Sequence, residues 1–130
     1  MMKVAYTGWT WIGGTKPYPE LAKHALEQSF KECKYLGYDY VENFAFIRDY
    51  YADDPQELVN LTKKHGVSLV NLYGHFTLDA QQSLEIAKAQ VKFLADIGGK
   101  WYNCQHDGYR EPPFERPLCP QDLDIICYIS

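Results

Sequence analysis

The most constraining feature of this 130-residue sequence is a repeated unit: an amphipathic, helix-like segment ends at a glycine and a short strand-like segment follows. The glycines are Gly37, Gly66 and Gly98, and the segments after them contain YDYVENF, VSLVNLYG and KWYNCQ. Glycine commonly ends helices because it adopts the left-handed backbone conformation without steric cost. Together with the strand-like segment 3–8, the repeat predicts the element order β-α-β-α-β-α-β.

The three predicted helices show apolar residues at helical spacing. The first spans residues 20–36, and the second begins at Asp53-Asp54-Pro55, because an acidic residue before a proline at the first helical position favours a helix start. The third opens at Asp79 and ends at Gly98-Gly99. Their predicted apolar faces consist of Leu26, Phe30, Cys33 and Leu36, then Leu58, Leu61, Thr62 and His65, then Leu84, Ala87, Val91 and Leu94.

Strands that alternate with amphipathic helices predict an α/β fold with a parallel sheet covered by helices. The spacing of roughly thirty residues per unit is typical of βαβ crossovers. We therefore expect one domain over residues 1–130, with about four strands and three to four helices. Within it, segment 108–119 is a proline-rich loop, and a last helix begins at Pro120 with no fifth strand after it.

Composition restricts the partners and the compartment. The formal net charge is −4 and no run of Lys or Arg occurs, which argues against binding to nucleic acid or to anionic membranes. No apolar stretch approaches the ~20 residues that a membrane span needs. The four cysteines show no CxxC spacing, and the N-terminus lacks a signal-peptide pattern. We expect reduced thiols and a cytoplasmic location.

The ends of the predicted strands carry the candidate functional residues, because ligands of parallel α/β sheets bind at the carboxyl ends of the strands. If the four strands are neighbours, these residues line one rim whose aromatic walls, imidazoles and carboxylates suit a small polar ligand such as a sugar. Alternation along an extended chain would place both tryptophans on the same face. The rim residues are Trp9 and Trp11, then Glu42 and Asn43, then Tyr73 and His75, and finally Gln105, His106 and Asp107.

Each of these residues also has a structural interpretation. Glu42 could be a loop or helix-start carboxylate, and His75 could bond a backbone carbonyl. His106-Asp107 could form a turn before a glycine, since Asp and Gly favour turns. The two tryptophans could simply pack. We expect Cys104 to be a small buried hydrophobe inside a strand, and His24 and His65 to be surface or packing residues on helices.

Four segments together resemble the opening half of a xylose isomerase-like TIM barrel. They are MKVAYTGWTW, GYDYVENF, HGVSLVNLYGHF and IGGKWYN, and the resemblance covers about residues 2–107. This superfamily contains sugar-phosphate isomerases and epimerases, inosose dehydratases and family-2 apurinic endonucleases. A Glu after the second strand and a His after the third, here Glu42 and His75, are typical of it.

The resemblance implies half of a (β/α)₈ barrel and metal-dependent isomerisation or epimerisation of a small carbohydrate or its phosphate. In this family a divalent metal (Mn, Mg, Co or Zn) polarises the sugar oxygens while carboxylates move a proton. It implies a catalytic role for Glu42 and a substrate-binding role for Trp9, Trp11 and His75. We place the rim residues Gln105, His106 and Asp107 with them. The family's metal ligands come from the fifth to eighth strands, so none is assignable here.

A half barrel leaves its first and fourth strands as open edges. Either two chains pair through these edges as a homodimer, or the sequence is a truncated gene product, which we favour and which would leave the chain alone inactive. Three other hypotheses stay open: a non-catalytic, self-associating sugar-binding module, a nucleic-acid enzyme of the endonuclease branch, and a complete small open-sheet domain unrelated to barrels. The acidic balance counts against the endonuclease branch.

Overall fold

The computed structural model describes residues 4–76 and 79–106, without the side chains of Phe76, Gln105 and His106. These residues form a four-stranded, all-parallel sheet in the order β1-β2-β3-β4. The strands are β1 (Ala5–Thr7), β2 (Tyr40–Phe44), β3 (Ser68–Phe76) and β4 (Trp101–His106). The predicted α/β class and the predicted number of strands are confirmed.

Five α-helices occur in the described part of the chain. Three of them, α2, α4 and α5, are the predicted crossover helices, and their bounds lie close to the expected ones. Two short helices and a 3₁₀ turn at Ala45–Ile47 were not predicted. The helices are α1 (Trp9–Ile12), α2 (Pro19–Tyr35), α3 (Arg48–Tyr51), α4 (Pro55–His65) and α5 (Ala80–Asp96).

The helix ends follow from local sequence signals. The Asp54 carboxylate accepts the backbone N–H of Gln56 at the start of α4 (3.1 Å), and Asp79 accepts that of Gln82 at the start of α5 (2.9 Å). These bonds satisfy donors that a helix N-terminus leaves unpaired. The predicted terminating glycines all adopt positive φ: Gly37 at 88°, Gly66 at 66° and Gly98 at 79°.

The helices pack on one face of the sheet and form a single core with it. This arrangement follows from the strand order, because right-handed crossovers between successive parallel neighbours place every helix on the same side. It is consistent with half of a β/α barrel. Buried residues from both layers include Leu26, Phe30 and Cys33 of α2, Leu58 of α4, Phe93 and Leu94 of α5, and Val41, Leu69 and Leu72 of the sheet.

The predicted apolar face of α5 is wrong at one position. Val91 is 46% exposed, whereas Ser83, Ala87, Phe93 and Leu94 are buried. Phe93 and Val91 lie on opposite sides of the line through Ser83, Ala87 and Leu94 on a helix of 3.6 residues per turn. The helix is therefore rotated toward Phe93, and Val91 is left at the margin of the core.

The fourth strand is less buried than its sequence indicates. Trp101 is 59% exposed, and Cys104, which was expected to be buried, is exposed. The reason is that β4 is the last strand of the described sheet and pairs only with β3 there. Cys33 of α2 is the buried thiol.

The predicted loop 108–119 and the helix from Pro120 lie outside the described residues, so the single domain over residues 1–130 stays a prediction. Within the described ranges, no helix combines the length and the apolar character needed to cross a membrane.

Candidate functional site

The inner face, as we call the sheet face opposite the helices, carries the polar residues of the strand ends. Successive side chains of a strand point to opposite faces. In β2, Val41 and Asn43 therefore enter the helix-covered core while Glu42 lies on the inner face. The predicted rim position of Asn43 is wrong for this reason. Residues paired across parallel strands share a face, and Glu42 pairs with Thr7 of β1 and Asn71 of β3.

A register irregularity between Val41 and Glu42 decides which residues meet Glu42. Val41 pairs with Leu69, but Glu42 pairs with Asn71, so Val70 is passed over. An extra residue of this kind is a β-bulge, which re-aims side chains locally. Because of it, Asn71 stands beside Glu42 on the inner face.

The Glu42 group consists of Glu42, Asn71 and Tyr73. The Tyr73 hydroxyl donates to Glu42 Oε1 at 2.8 Å, and Asn71 Nδ2 donates to Glu42 Oε2 at 3.1 Å. Both carboxylate oxygens are therefore held by side chains of one neighbouring strand. Hydrogen bonds to an ionised acceptor are stronger than those between neutral groups, so this arrangement orients the carboxylate.

Tyr73 is set up to remain a hydrogen-bond donor. Burial raises the pKa of its phenol, and the hydrogen bond to Glu42 and the charge of Glu42 raise it further. Side-chain hydrogen bonds with Asn103 of β4 and with Asn71 act in the opposite direction, and the net pKa is raised. The phenol therefore keeps its proton at neutral pH.

Aromatic rings lie next to the Glu42 group and form what we call the aromatic wall: Trp9, Phe44 and His75. The Trp9 and Phe44 ring centroids are 4.4 Å apart. Phe44 and His75 stack at 6.0 Å with an interplanar angle of 15°, and Phe44 lies 5.7 Å from the Tyr73 ring. The structure thus brings three predicted site residues, Trp9, Glu42 and His75, into one neighbourhood.

Trp11 is not part of this neighbourhood, and the prediction that Trp9 and Trp11 share a face is wrong. The chain after β1 turns into α1 instead of continuing as a strand, and two residues in a helix are ~200° apart around its axis. Trp11 Nε1 donates to Glu32 Oε2 of α2 at 2.8 Å, and its ring packs edge-on against Tyr6 at 5.6 Å. Trp11 therefore joins α1 to α2.

The fourth rim segment is only partly described. Register pairs His75 with Gln105 and Phe76 with His106, so the backbone of both β4 positions lies beside the end of β3. Asp107 lies outside the described residues. The substrate-binding roles of Gln105, His106 and Asp107 stay predictions.

Sequence reasoning placed Tyr73 at the rim without giving it a specific role, and it did not single out Asn71 or Phe44. A signal for two of them was available, since Asn71, Tyr73 and His75 recur with period two and therefore share one strand face. No sequence signal indicated the bulge that sets Asn71 opposite Glu42. The helical histidines lie elsewhere, as expected: His24 is exposed, and His65 Nε2 lies within hydrogen-bond distance of Glu27 Oε1, at 2.9 Å.

The described residues do not by themselves fit the divalent metal that the resemblance implies. They contain no group of three or more His, Cys, Asp or Glu side chains placed to hold an ion. Glu42 is the acidic member of its group, and both of its oxygens already accept hydrogen bonds. We derive no step through a metal, and the cofactor stays a prediction.

No protein-family model, curated protein or solved structure matches this chain. The resemblance to the xylose isomerase-like superfamily therefore depends on the sequence segments described above, and the function that it implies is a proposal.

Proposed function

We propose that the chain is a sugar isomerase/epimerase-like protein that binds a small carbohydrate at the Glu42 group. The parent activity is metal-dependent isomerisation or epimerisation. The observation that carries the proposal is the oriented Glu42 carboxylate in the middle of β2, on the inner face, with the aromatic wall beside it.

This combination suits the chemistry of a sugar. An ionised carboxylate accepts up to about four hydrogen bonds, and protein donors use two of those of Glu42. The remaining acceptor sites are available to ligand hydroxyls. The apolar C–H faces of a sugar ring gain by stacking on exposed aromatic surface, and Trp9 offers such a surface because it is partly exposed.

The proposed chemistry gives Glu42 the part of a general base. In the proton-transfer route of isomerisation, a base takes the proton from the hydroxyl-bearing carbon while the neighbouring carbonyl oxygen is protonated, which gives an enediol. The former carbonyl carbon then receives the proton while the other hydroxyl loses its own, so that the carbonyl has moved by one carbon. A carboxylate held at both oxygens is a positioned proton acceptor for this transfer. Tyr73, which keeps its proton, supplies a neutral donor next to it.

A titration with sugars followed by amide NMR tests binding. We expect D-xylose, D-fructose or their phosphates to shift the signals of Glu42, Asn71 and Tyr73, and we expect Glu42→Gln to weaken that binding. If no sugar of the set shifts these signals at saturating concentration, the proposal is wrong.

Turnover separates the leading function from a second one. In D₂O with added Mn²⁺, Mg²⁺, Co²⁺ or Zn²⁺, an isomerase exchanges the proton beside the carbonyl for deuterium, which mass spectrometry of the sugar detects. Binding with neither deuterium exchange nor conversion to an isomeric sugar would instead support a non-catalytic sugar-binding module. The observation that favours this second function is that the described part of the site offers a single carboxylate.

Two further predictions are checked alongside. The homodimer through the edges of β1 and β4 predicts twice the 15.1 kDa chain mass in light scattering.

The endonuclease branch predicts affinity for abasic DNA that falls steeply with salt, and the net charge of −4 counts against it.

A further inference from the structure

We propose that Tyr73 and Asn71 are positioning residues, which hold the Glu42 carboxylate ready to accept ligand hydroxyls at a cost to the stability of the fold. This inference rests on the proposed sugar-binding function and deepens it, because it assigns separate roles within the Glu42 group. Neither residue needs to touch the ligand to act in this way.

The first support is the geometry of the two donors. Asn71 and Tyr73 are two residues apart on β3 and donate to different oxygens of one carboxylate. A side chain as long as Glu has three rotatable bonds, and two hydrogen bonds from a rigid strand restrict them. The entropy of ordering Glu42 is therefore lost on folding rather than on binding, which favours affinity.

The second support is an acceptor of Asn71 left without a donor. Asn71 is 4% exposed, and its Oδ1 atom is buried with no hydrogen-bond partner among the described residues. A buried unsatisfied polar atom destabilises a fold. The amide orientation that leaves Oδ1 unpaired is the one that lets Nδ2 reach Glu42. The unpaired Oδ1 atom therefore lowers the stability of the fold, while the Nδ2 group of the same side chain orients the Glu42 carboxylate.

The third support is that the Tyr73 phenol stays protonated and therefore remains a hydrogen-bond donor. The groups that face its phenol are Glu42 from β2, Asn103 from β4, and Asn71 of its own strand, while His75 follows on the same strand face. Glu42 is the charged group among them, and it favours the protonated phenol. The hydrogen bond from Tyr73 to Glu42 therefore persists through the neutral pH range.

A stability measurement without ligand tests the cost. In Glu42→Met/Asn71→Leu/Tyr73→Phe, apolar groups of similar shape replace all three hydrogen-bonding side chains of the Glu42 group, and such complete replacements are close to neutral or stabilising. We expect the midpoint of urea unfolding to equal or exceed that of the wild type. A midpoint well below the wild type would overturn the proposed cost.

A binding measurement with D-xylose tests the positioning. We expect Tyr73→Phe to weaken the affinity by up to about tenfold, because the ordering entropy of the Glu42 side chain would then be lost on binding rather than on folding. Tyr102→Phe is the matched control, because it removes a phenol that donates to Gln90 on the other face of the sheet. Amide spectra establish that both variants are folded, and the control should bind as the wild type does.

The outcomes separate the two proposals. If the wild type binds D-xylose and Tyr73→Phe binds it equally well, the positioning role is wrong and the sugar-binding function stands. If the wild type binds none of the sugars, the proposed function fails, and the unfolding midpoint of the triple variant still decides whether the Glu42 group destabilises the fold.

Discussion

The two faces of the same sheet have opposite chemistry, although their residues alternate along the same strands. On the helix-covered face, Val41, Leu69 and Leu72 are buried in one apolar core. On the inner face, Glu42 and Tyr73 form a polar group with Asn71. Leu72 and Tyr73 are adjacent in sequence, and a single step along β3 leads from the core to the candidate site.

This difference indicates how the molecule divides stability from function. Burial of apolar surface drives folding, and the helix-covered face supplies it. The inner face holds groups whose hydrogen bonds contribute little to net stability, because the unfolded chain makes equivalent bonds to water. Substitutions on the two faces should therefore differ in kind.

The largest expected effect is that of Leu72→Ala. Leu72 is fully buried, and removing such a side chain lowers the free energy of unfolding by about 2–5 kcal/mol. Tyr73→Phe, one residue away, should cost about 1.5 kcal/mol, the lower end of the range for a hydrogen bond to a charged group, because the phenol is only partly buried. Urea unfolding of both variants checks this. Equal losses would break the comparison between the faces.

Gly74→Ala should cause the second-largest loss in the free energy of unfolding. A Cβ atom at Gly74 would lie 1.8 Å from the Tyr102 hydroxyl, so the substitution overpacks the contact between β3 and β4. Overpacking of this kind costs roughly 1–3 kcal/mol. Adding Tyr102→Leu removes both the hydroxyl and the ring Cζ atom, which would lie 2.5 Å from the new Cβ, and should restore part of the loss in a double-mutant cycle. If the two changes are strictly additive, the clash is not the cause.

A smaller loss of stability is expected from a substitution at the start of α4. It measures what one helix end contributes to the helix-covered side of the sheet. Asp54→Ala removes the carboxylate that accepts the Gln56 N–H, and loss of such an N-cap costs about 1 kcal/mol. Asp53→Ala is the matched control, an exposed acid one residue earlier. Equal decreases in the thermal unfolding temperature of the two variants would exclude capping as the reason.

The smallest effect concerns the outer surface, where α2 and α4 are joined by Glu27. Hydrogen bonds from Lys64 and His65 lower the pKa of Glu27 from 4.5 to about 2. Because the folded pKa lies below the unfolded one, the stabilisation is full above pH 4.5 and is lost as the pH falls toward 2. The ion pair between Glu27 and Lys64 is exposed, so its contribution to the free energy of unfolding is below about 1 kcal/mol.

Glu27→Gln tests this dependence. Its unfolding midpoint should lie slightly below that of the wild type at neutral pH and converge with it toward pH 2. Glu85→Gln, which breaks an exposed pair with Lys88 inside α5, is the control and should show a smaller difference. A difference between Glu27→Gln and the wild type that is constant with pH would contradict the assigned cause.

Local signals made most of the fold predictable. Asp54 and Asp79 begin helices by hydrogen bonds to nearby backbone groups, and Gly66 ends one through its own conformational freedom. Interactions of this kind involve residues close in sequence. The candidate site was predictable only in part: Glu42, Trp9 and His75 come together, but Trp11 contacts Glu32 of α2 instead.

The sequence by itself determined the order of elements, the ends of the main helices and the residue types at the strand ends, because these depend on local propensity and on the spacing of apolar residues. Only the tertiary structure decided that the chain after β1 turns into α1, separating Trp9 from Trp11. It also decided, through the bulge that passes over Val70, that Glu42 meets Asn71. Register between strands depends on contacts between residues distant in sequence, and the local pattern of either strand does not specify it.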